Sequence, residues 1–395
     1  MEFSEKNILL IIHAGSLGGA ERQGLGISKI LTEKYNCKVN LLLTSSGDTT
    51  KEFEDFAKEC HIINTLYLDN PYLLFKKELT LINIKRLFKS ISYLFNLKKG
   101  LKPYKPDIII PFLNFPSKVA FYLYWLIPSV KFTFWHQLGL DVLSLDVLES
   151  IAAKNTSCVV ANASNGLEMF KNLYIIEPQK LNILPQYISI SHHPLDKEKL
   201  KLKFKIPKNS LVIGMIAHYR PEKYHELLLN VFEKLIEKHD NINLVFLGNK
   251  NNTVTTQKKY QYLSAKIVNN NMSSKVLLLS GFKVEEVLNI LDIGVLVSRI
   301  EGMPNAVMEY MLYGLPVVAS NHPGCVQLLS NSSFLIENNE RELFDSLDKL
   351  IMSEILRISE GRINSEKIKV YDMDSYITKL QVIMNKSLKL KRILF

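Results

Sequence analysis

At 395 residues the chain is too long for one ordinary core and comfortable for two. Its apolar share of 47% and charged share of 22% are those of a globular protein, and no run of about 18 apolar residues suggests a membrane span. The formal charge of +10 comes without a helix-turn-helix, zinc or RNA-binding pattern, so nucleic acid is not an expected partner. The first residues run almost directly into an apolar, strand-like segment, so no cleavable leader is expected. Cys37, Cys60, Cys158 and Cys325 are scattered with no CxxC spacing, so neither zinc nor a disulfide framework is expected, and a reducing cytoplasm fits best.

In the first half, strands are expected at residues 8–12, 39–43, 62–66, 107–111, 131–135 and 158–161. Helices are expected at 20–35, 51–59, 82–97 and 117–126, the last over most of the apolar stretch from Val119 to Ile127. Alternation of this kind argues for a parallel sheet with crossover helices. Residues 184–208, rich in Pro, His and Lys, read as a linker. The pattern then restarts: strands at 211–216, 243–247, 276–280, 293–298, 316–320 and 334–336, and helices at 221–239, 256–269, 283–291 and 305–313. A final helix is expected at 371–387.

The positive charge gathers between Lys76 and Lys105. There Lys85, Arg86, Lys89, Lys98 and Lys99 alternate with Ile84, Leu87, Phe88, Ile91, Leu94 and Phe95. A basic amphipathic helix of this sort suits an anionic membrane surface, and equally a core-packing helix with a solvated basic face.

The stretch from Ser298 to Ser320 carries the chemistry. It runs from a buried strand through a loop into a short helix, with Pro304 at the helix's first position and Gly314 past its end, and on to the next strand. Glu301 in the loop and Glu309 in the helix have seven residues between them. A helix start beyond a strand's carboxyl end suits a phosphate, and flanking carboxylates suit hydroxyls. Together they suggest a nucleotide-sugar. Arg220 and Lys223 stand at another helix entrance, where two cations would neutralise a diphosphate and stabilise its developing charge.

The string Glu301-Gly302-Met303-Pro304, the acidic helix residue Glu309 and Gly314-Leu-Pro316-Val-Val-Ala closely resembles the signature of glycosyltransferase family 4, retaining enzymes of the GT-B type. The resemblance implies an α/β fold of two Rossmann-like domains facing a central cleft. It implies a first domain over 1–190 on the acceptor side, a donor domain over 191–370, and a helix over 371–395 that crosses back. It also implies that Glu309 holds the ribose and Glu301 the donor-sugar hydroxyls, with Ser298, Gly302, Met303, Pro304 and Asn305 approaching the donor. Lys223 and Arg220 fall in a string similar to the family's Gly-Arg-Leu-x-Pro-Glu-Lys, and here Ala217 stands for Gly and His218 for Arg. Gly18 and Gly19, in a segment similar to Gly-Gly-Ala-Glu-Arg, are expected to line the cleft, and the resemblance places His136, at a strand end, near the reacting sugar as a catalytic-site residue that hydrogen-bonds a donor-sugar hydroxyl or helps orient the acceptor. Gln327 stands where the family has Glu. Asp372-Met-Asp374 has the look of a metal-binding pair but reads as a helix N-terminus, so no metal is expected.

The expected function is retaining transfer of a hexosyl or amino-hexosyl unit from a nucleotide-sugar to a sugar or lipid-linked sugar acceptor, in surface polysaccharide or glycolipid synthesis. The donor is a substrate, a UDP-sugar in preference to a GDP-sugar, and no cofactor is expected. The expected location is cytoplasmic, peripheral to the inner face of the plasma membrane. Two competitors share the architecture: a non-catalytic sugar-binding or partner subunit, and a sugar-nucleotide 2-epimerase.

Overall fold

Strands that read as apolar on every residue are buried on both faces, as a parallel sheet between two helix layers requires. The computed structural model describes residues 2–45, 48–78, 80–140, 144–250 and 253–393. The chain divides into two units, Met1–Ser189 with Tyr371–Phe395, and Ile190–Val370.

The first unit runs β1 (Asn7–Ile12), α1 (Gly19–Glu33), β2 (Lys38–Leu43), α2 (Lys51–Glu59), β3 (Thr65–Tyr67), α3 (Leu81–Leu101), β4 (Ile108–Pro111), α4 (Asn114–Leu126), β5 (Trp135–Gln137), α5 (Val147–Asn155), β6 (Val159–Ala161), α6 (Ser164–Leu173) and β7 (Leu181–Ile183). The sheet orders are β3-β2-β1-β4 and β5-β6-β7, joined by a parallel bridge between Ile108 and Phe132. Strand periodicity sorts the core. Ile8, Leu10 and Ile12 face one apolar cluster with Leu25 and Ile27, while Leu9 and Ile11 face another with Tyr93, Leu97 and Leu123.

The second unit runs α7 (Lys197–Lys203), β8 (Leu211–Ile216), α8 (His225–Lys238), β9 (Ile242–Leu247), α9 (Val254–Asn269), β10 (Val276–Leu279), α10 (Val284–Leu288), β11 (Ile293–Leu296), α11 (Asn305–Leu312), β12 (Val317–Ser320), α12 (Pro323–Leu329), β13 (Leu335–Ile336), α13 (Glu340–Met352) and α14 (Glu354–Ile368). Its all-parallel sheet has the order β10-β9-β8-β11-β12-β13. The last helix, α15 (Met373–Ile393), belongs to the first unit, where Tyr376, Ile377, Leu380, Ile383 and Met384 join the cluster around β1. Asp372 caps it, accepting from the Ser375 N–H at 2.8 Å.

Several sequence expectations are corrected. The helix expected from Pro221 starts at His225, because the residues before it pair elsewhere: Lys223 bridges Ser298, and the Tyr224 N–H donates to Val297 O at 3.0 Å. Pro304 is the N-cap of α11 and not its first helical residue, while Gly314 lies past its end at φ +66° as expected. The linker expected over 184–208 shrinks from both sides. Leu184 and Tyr187 are buried in the first unit, and Asp196 caps α7 by accepting from Glu198 and Lys199 N–H groups. The strand expected at 131–135 changes partners midway: Phe132 bridges β4, and the ladder to β6 begins only at Trp135. The expected strand at 62–66 begins three residues later.

Candidate active site

In the second unit the sheet order reverses between β8 and β11. Open parallel sheets bind ligands outside the carboxyl ends of their strands at such a point. Two loops leave there, 217–224 after β8 and 297–304 after β11. Backbone bonds lace them together: besides the Lys223–Ser298 bridge, the Arg299 N–H donates to Glu222 O at 2.8 Å. The lacing brings the Lys223 ammonium onto the Glu301 carboxylate as an ion pair, both side chains largely buried. Beneath them His225 is fully buried, with Nδ1 2.9 Å from Lys223 O and Nε2 3.3 Å from Ala217 O. Burial pushes its pKa down to about 4, so the ring is neutral and its single N–H goes to one of the two carbonyls. Arg220 is half exposed, 3.8 Å from Glu222.

Ser298 is held on its backbone. Its N–H donates to Ser320 Oγ at 2.9 Å, and its carbonyl accepts from Asn338 Nδ2 at 2.7 Å and His322 Nε2 at 2.8 Å. Its own hydroxyl is buried and has no partner among the described residues; the same holds for Asn305 Oδ1 and His218 Nδ1. An unsatisfied buried polar atom costs about 1–3 kcal/mol, which a ligand's hydroxyls or phosphate oxygens would offset. Burial, reinforced by the charges of Arg220 and Lys223, lowers the His218 pKa, so it sits uncharged beside the two cations.

The Gly302-Met303 turn packs against α12 so closely that a Cβ on Gly324 would come within 1.6 Å of Gly302 O. Met303 and Pro304 are buried, and α11 opens at Asn305 with no side-chain cap on its N–H groups. One turn on, Glu309 is 7% exposed. Its neighbour Tyr310 ties helix to sheet: the hydroxyl accepts from the Ile216 N–H at 2.6 Å and donates to Val295 O at 3.3 Å. One compact arrangement thus holds cations, carboxylates, unsatisfied polar atoms and an open helix start. Over this same region, residues 196–364 match the family described as Glycosyl transferases group 1.

The match lies within this unit, which thus carries a domain of the group 1 glycosyl transferase type. The chain is 27% identical over 243 residues, 59% of its length, to the Escherichia coli UDP-Gal:alpha-D-GlcNAc-diphosphoundecaprenol alpha-1,3-galactosyltransferase, and the match spans 61% of that enzyme. It is 22% identical over 88% of its length, and 83% of the relative's, to the Campylobacter jejuni N,N'-diacetylbacillosaminyl-diphospho-undecaprenol alpha-1,3-N-acetylgalactosaminyltransferase. Among solved structures it is similar to Anabaena HepE in complex with UDP and glucose, with TM-score 0.77, 16% identity, and 96% of this chain and all of that one covered. It is also similar to WaaG, a glycosyltransferase involved in lipopolysaccharide biosynthesis, with TM-score 0.65, 17% identity, and 95% and 99% covered. These likenesses show the fold, the α/β GT-B architecture.

In the second unit the structure gathers Lys223, Glu301, Ser298 and His218 around the two laced loops, with Gly302, Met303, Pro304, Asn305 and Glu309 following along the second loop and α11. Gly18, Gly19 and His136 lie in the first unit. There Gly18 caps α1 and Gly19 is its first residue, in the loop that leaves β1. His136 is 1% exposed between the rings of Phe112 and Phe134. Its Nδ1 lies 3.0 Å from Pro111 O, so Nδ1 carries the proton, and Nε2 is left a buried acceptor without a partner among the described residues. Burial lowers its pKa to about 4. Ser117 locks the arrangement: it accepts from the His136 N–H at 2.9 Å and donates to Leu113 O at 2.7 Å. Leu113 has φ +78°, a backbone strain of about 1–3 kcal/mol beside the Ser117 link to His136.

Sequence reasoning missed the residues that hold the loops in place. Ser320 closes the motif and His225 follows Lys223 by two positions, so both were within view. His322 and Asn338 lie further on, and no local pattern marks them as ligands of the Ser298 carbonyl.

Proposed function

We propose that the chain transfers a hexosyl or amino-hexosyl unit, with retention at the anomeric carbon, from a UDP-sugar to a hydroxyl of a lipid-linked sugar. The observation that carries this is the Lys223–Glu301 pair at the sheet's reversal point. A cation needed by a leaving diphosphate is held there against a carboxylate suited to sugar hydroxyls. When donor enters, its diphosphate competes for Lys223 and frees Glu301 to accept from the sugar. Arg220, Lys223 and the open N–H groups of α11 stabilise the negative charge that grows as the glycosidic bond breaks. The acceptor oxygen attacks the same face, and its proton passes to the departing diphosphate oxygen. Glu309 accepts from the ribose hydroxyls. His136, neutral and with Nε2 free to accept, orients a hydroxyl at the reacting sugar.

The names of the E. coli and C. jejuni relatives, both acting on diphosphoundecaprenol-linked sugars, support a lipid-linked acceptor. The UDP-Gal in the E. coli relative's name and the UDP bound by HepE support uridine over guanosine. A metal-independent reaction is part of the proposal, with cationic side chains serving the diphosphate. The test is a panel of nucleotide-sugars read by thermal stabilisation and by slow hydrolysis. UDP-sugars should raise the melting temperature and release UDP with EDTA present. Stabilisation by GDP-sugars alone, or hydrolysis that requires added Mg²⁺ or Mn²⁺, would refute the corresponding half. Stabilisation without any hydrolysis or transfer would favour the non-catalytic partner.

A further inference from the structure

Helix α3 presents two apolar stripes where a core-covering helix needs one. Ser90, Tyr93, Leu94, Leu97 and Leu101 are buried against the first unit. On the opposite side Ile84, Phe88, Ile91 and Phe95, spaced by four, three and four residues, form a second line at 44%, 67%, 41% and 56% exposure. Leu81, 79% exposed, extends this line toward the helix start. By helical geometry, Lys85 and Lys89 border one edge of the stripe and Lys98 the other. Residues 76–105 hold nine Lys or Arg against the single acid Glu78, whereas the rest of 1–189 holds sixteen acids and twelve bases. Among the described residues none of those nine basic side chains is in an ion pair, although seventeen such pairs occur elsewhere.

We infer that the outer face of α3 docks on an anionic lipid bilayer, lying parallel to it with the Ile84–Phe95 stripe in the headgroup layer and the flanking lysines on lipid phosphates. Charge complementarity selects this occupant: a protein partner that covered the stripe would also have to satisfy bordering cations that have no acidic partner among the described residues, Lys89 lying over the Tyr72 ring at 5.7 Å. Helix α3 lies on the bilayer and does not cross it, since no helix among the described residues is long and apolar enough to span a membrane. The inference deepens the proposed function and rests on it for the place of the acceptor, which such docking would bring within reach.

Two forces then act together, and they separate experimentally. The electrostatic part is screened over about 8 Å at physiological ionic strength, whereas the apolar part is not. The full chain is mixed with phosphatidylcholine vesicles, with and without phosphatidylglycerol, and sedimented at low and physiological salt. Anionic vesicles should bind it at least tenfold better than neutral ones. Phe88→Ser with Phe95→Ser should lower partitioning into anionic vesicles about tenfold or more at physiological salt, with helix content unchanged. Lys85→Gln, Lys89→Gln and Lys98→Gln together should abolish the preference for anionic lipid. Failure of the wild type to bind anionic vesicles at low salt overturns the inference. So does unchanged partitioning of both variants, or a wild-type dimer that Phe88→Ser with Phe95→Ser converts to monomer. Transfer to a water-soluble acceptor analogue should stay within about twofold in all variants. Its absence in the wild type, with vesicle binding intact, would sink the transferase reading and leave the docking surface standing.

Discussion

The two units share a strand plan and differ in how they hold their strand-end loops. In each the order reverses beside the first strand, at β1–β4 in one and β8–β11 in the other. The second unit laces its two loops by backbone bonds, supports them from below with His225 and Tyr310, and fixes Ser298 from three sides. At the reversal of the first, a strained Leu113, one hydroxyl bridge and one histidine do the corresponding work, while its backbone bonds, Ser45 N–H to His13 O at 2.7 Å and Thr50 N–H to Gly15 O at 2.8 Å, join the loops after β1 and β2 instead. Under the proposed function the difference has a reason: a diphosphate presents the same oxygens in every nucleotide-sugar, so a rigid backbone-built site would serve it. Acceptors differ more, and side chains are easier to exchange than laced loops.

Replacing Lys223 by Ala tests the laced side hardest. Turnover should fall by roughly 10²–10³, the loss typical when a preorganised electrostatic donor is removed. Near-normal steady-state rates would move the catalytic cation to Arg220.

Acid should strike both units alike. His136 and His225 are each held near 4, below the ordinary 6.5, by burial. Above pH 6.5 the ring is neutral folded or unfolded, and this contribution is fully present. As pH falls from 6.5 toward 4 only the unfolded chain takes up the proton, so stability is lost, by up to about 3 kcal/mol per histidine. Denaturation curves across that window should show both units weakening, and His136→Gln or His225→Gln should each flatten the slope. A window with only one unit weakening would break the symmetry.

Gly324→Ala should cost about 1–3 kcal/mol, because its Cβ meets a backbone carbonyl that cannot yield cheaply. The loss should appear in denaturant midpoints together with weaker UDP-sugar binding, since the Gly302 turn must shift. Unchanged binding would mean the turn is more forgiving than the lacing suggests. Smaller still, Glu309→Ala should weaken UDP affinity by about tenfold, as expected for a lost charged hydrogen-bond partner. Calorimetric titration returning the wild-type constant would remove Glu309 from the ribose.

How far the sequence could be read follows the same division. The Ser298–Ser320 string was legible because its strand, loop and helix are contiguous and each carries its own punctuation. Periodicity located most strands, with the central ones apolar on every residue. It failed where a segment's partners are remote. Residues 221–224 look like a helix start until Val297 and Ser298 claim their backbone, and Phe132 and Trp135 pair on different neighbours. Helices α5, α6, α7, α12, α13 and α14 went unassigned, although Asp146, Asp196, Asn339 and Ser353 cap four of them in the usual way. The division of α3 into a buried and an exposed apolar line depends on what packs against it, which composition does not record.

Because α15 returns to the core of the first unit, that unit is built from two stretches separated by the whole of 190–370. On a ribosome adding about 5–20 residues per second, roughly 10–40 s pass between emergence of the first stretch and of the helix that covers it. Over that interval the second unit, continuous in sequence, has everything it needs to fold, while the apolar surface beneath Tyr376, Ile377 and Leu380 stays open to water or to a chaperone. The first unit is thus the one that finishes folding last, and destabilising changes near β1 or α1 should reduce yield in the cell more than the same changes in the second unit.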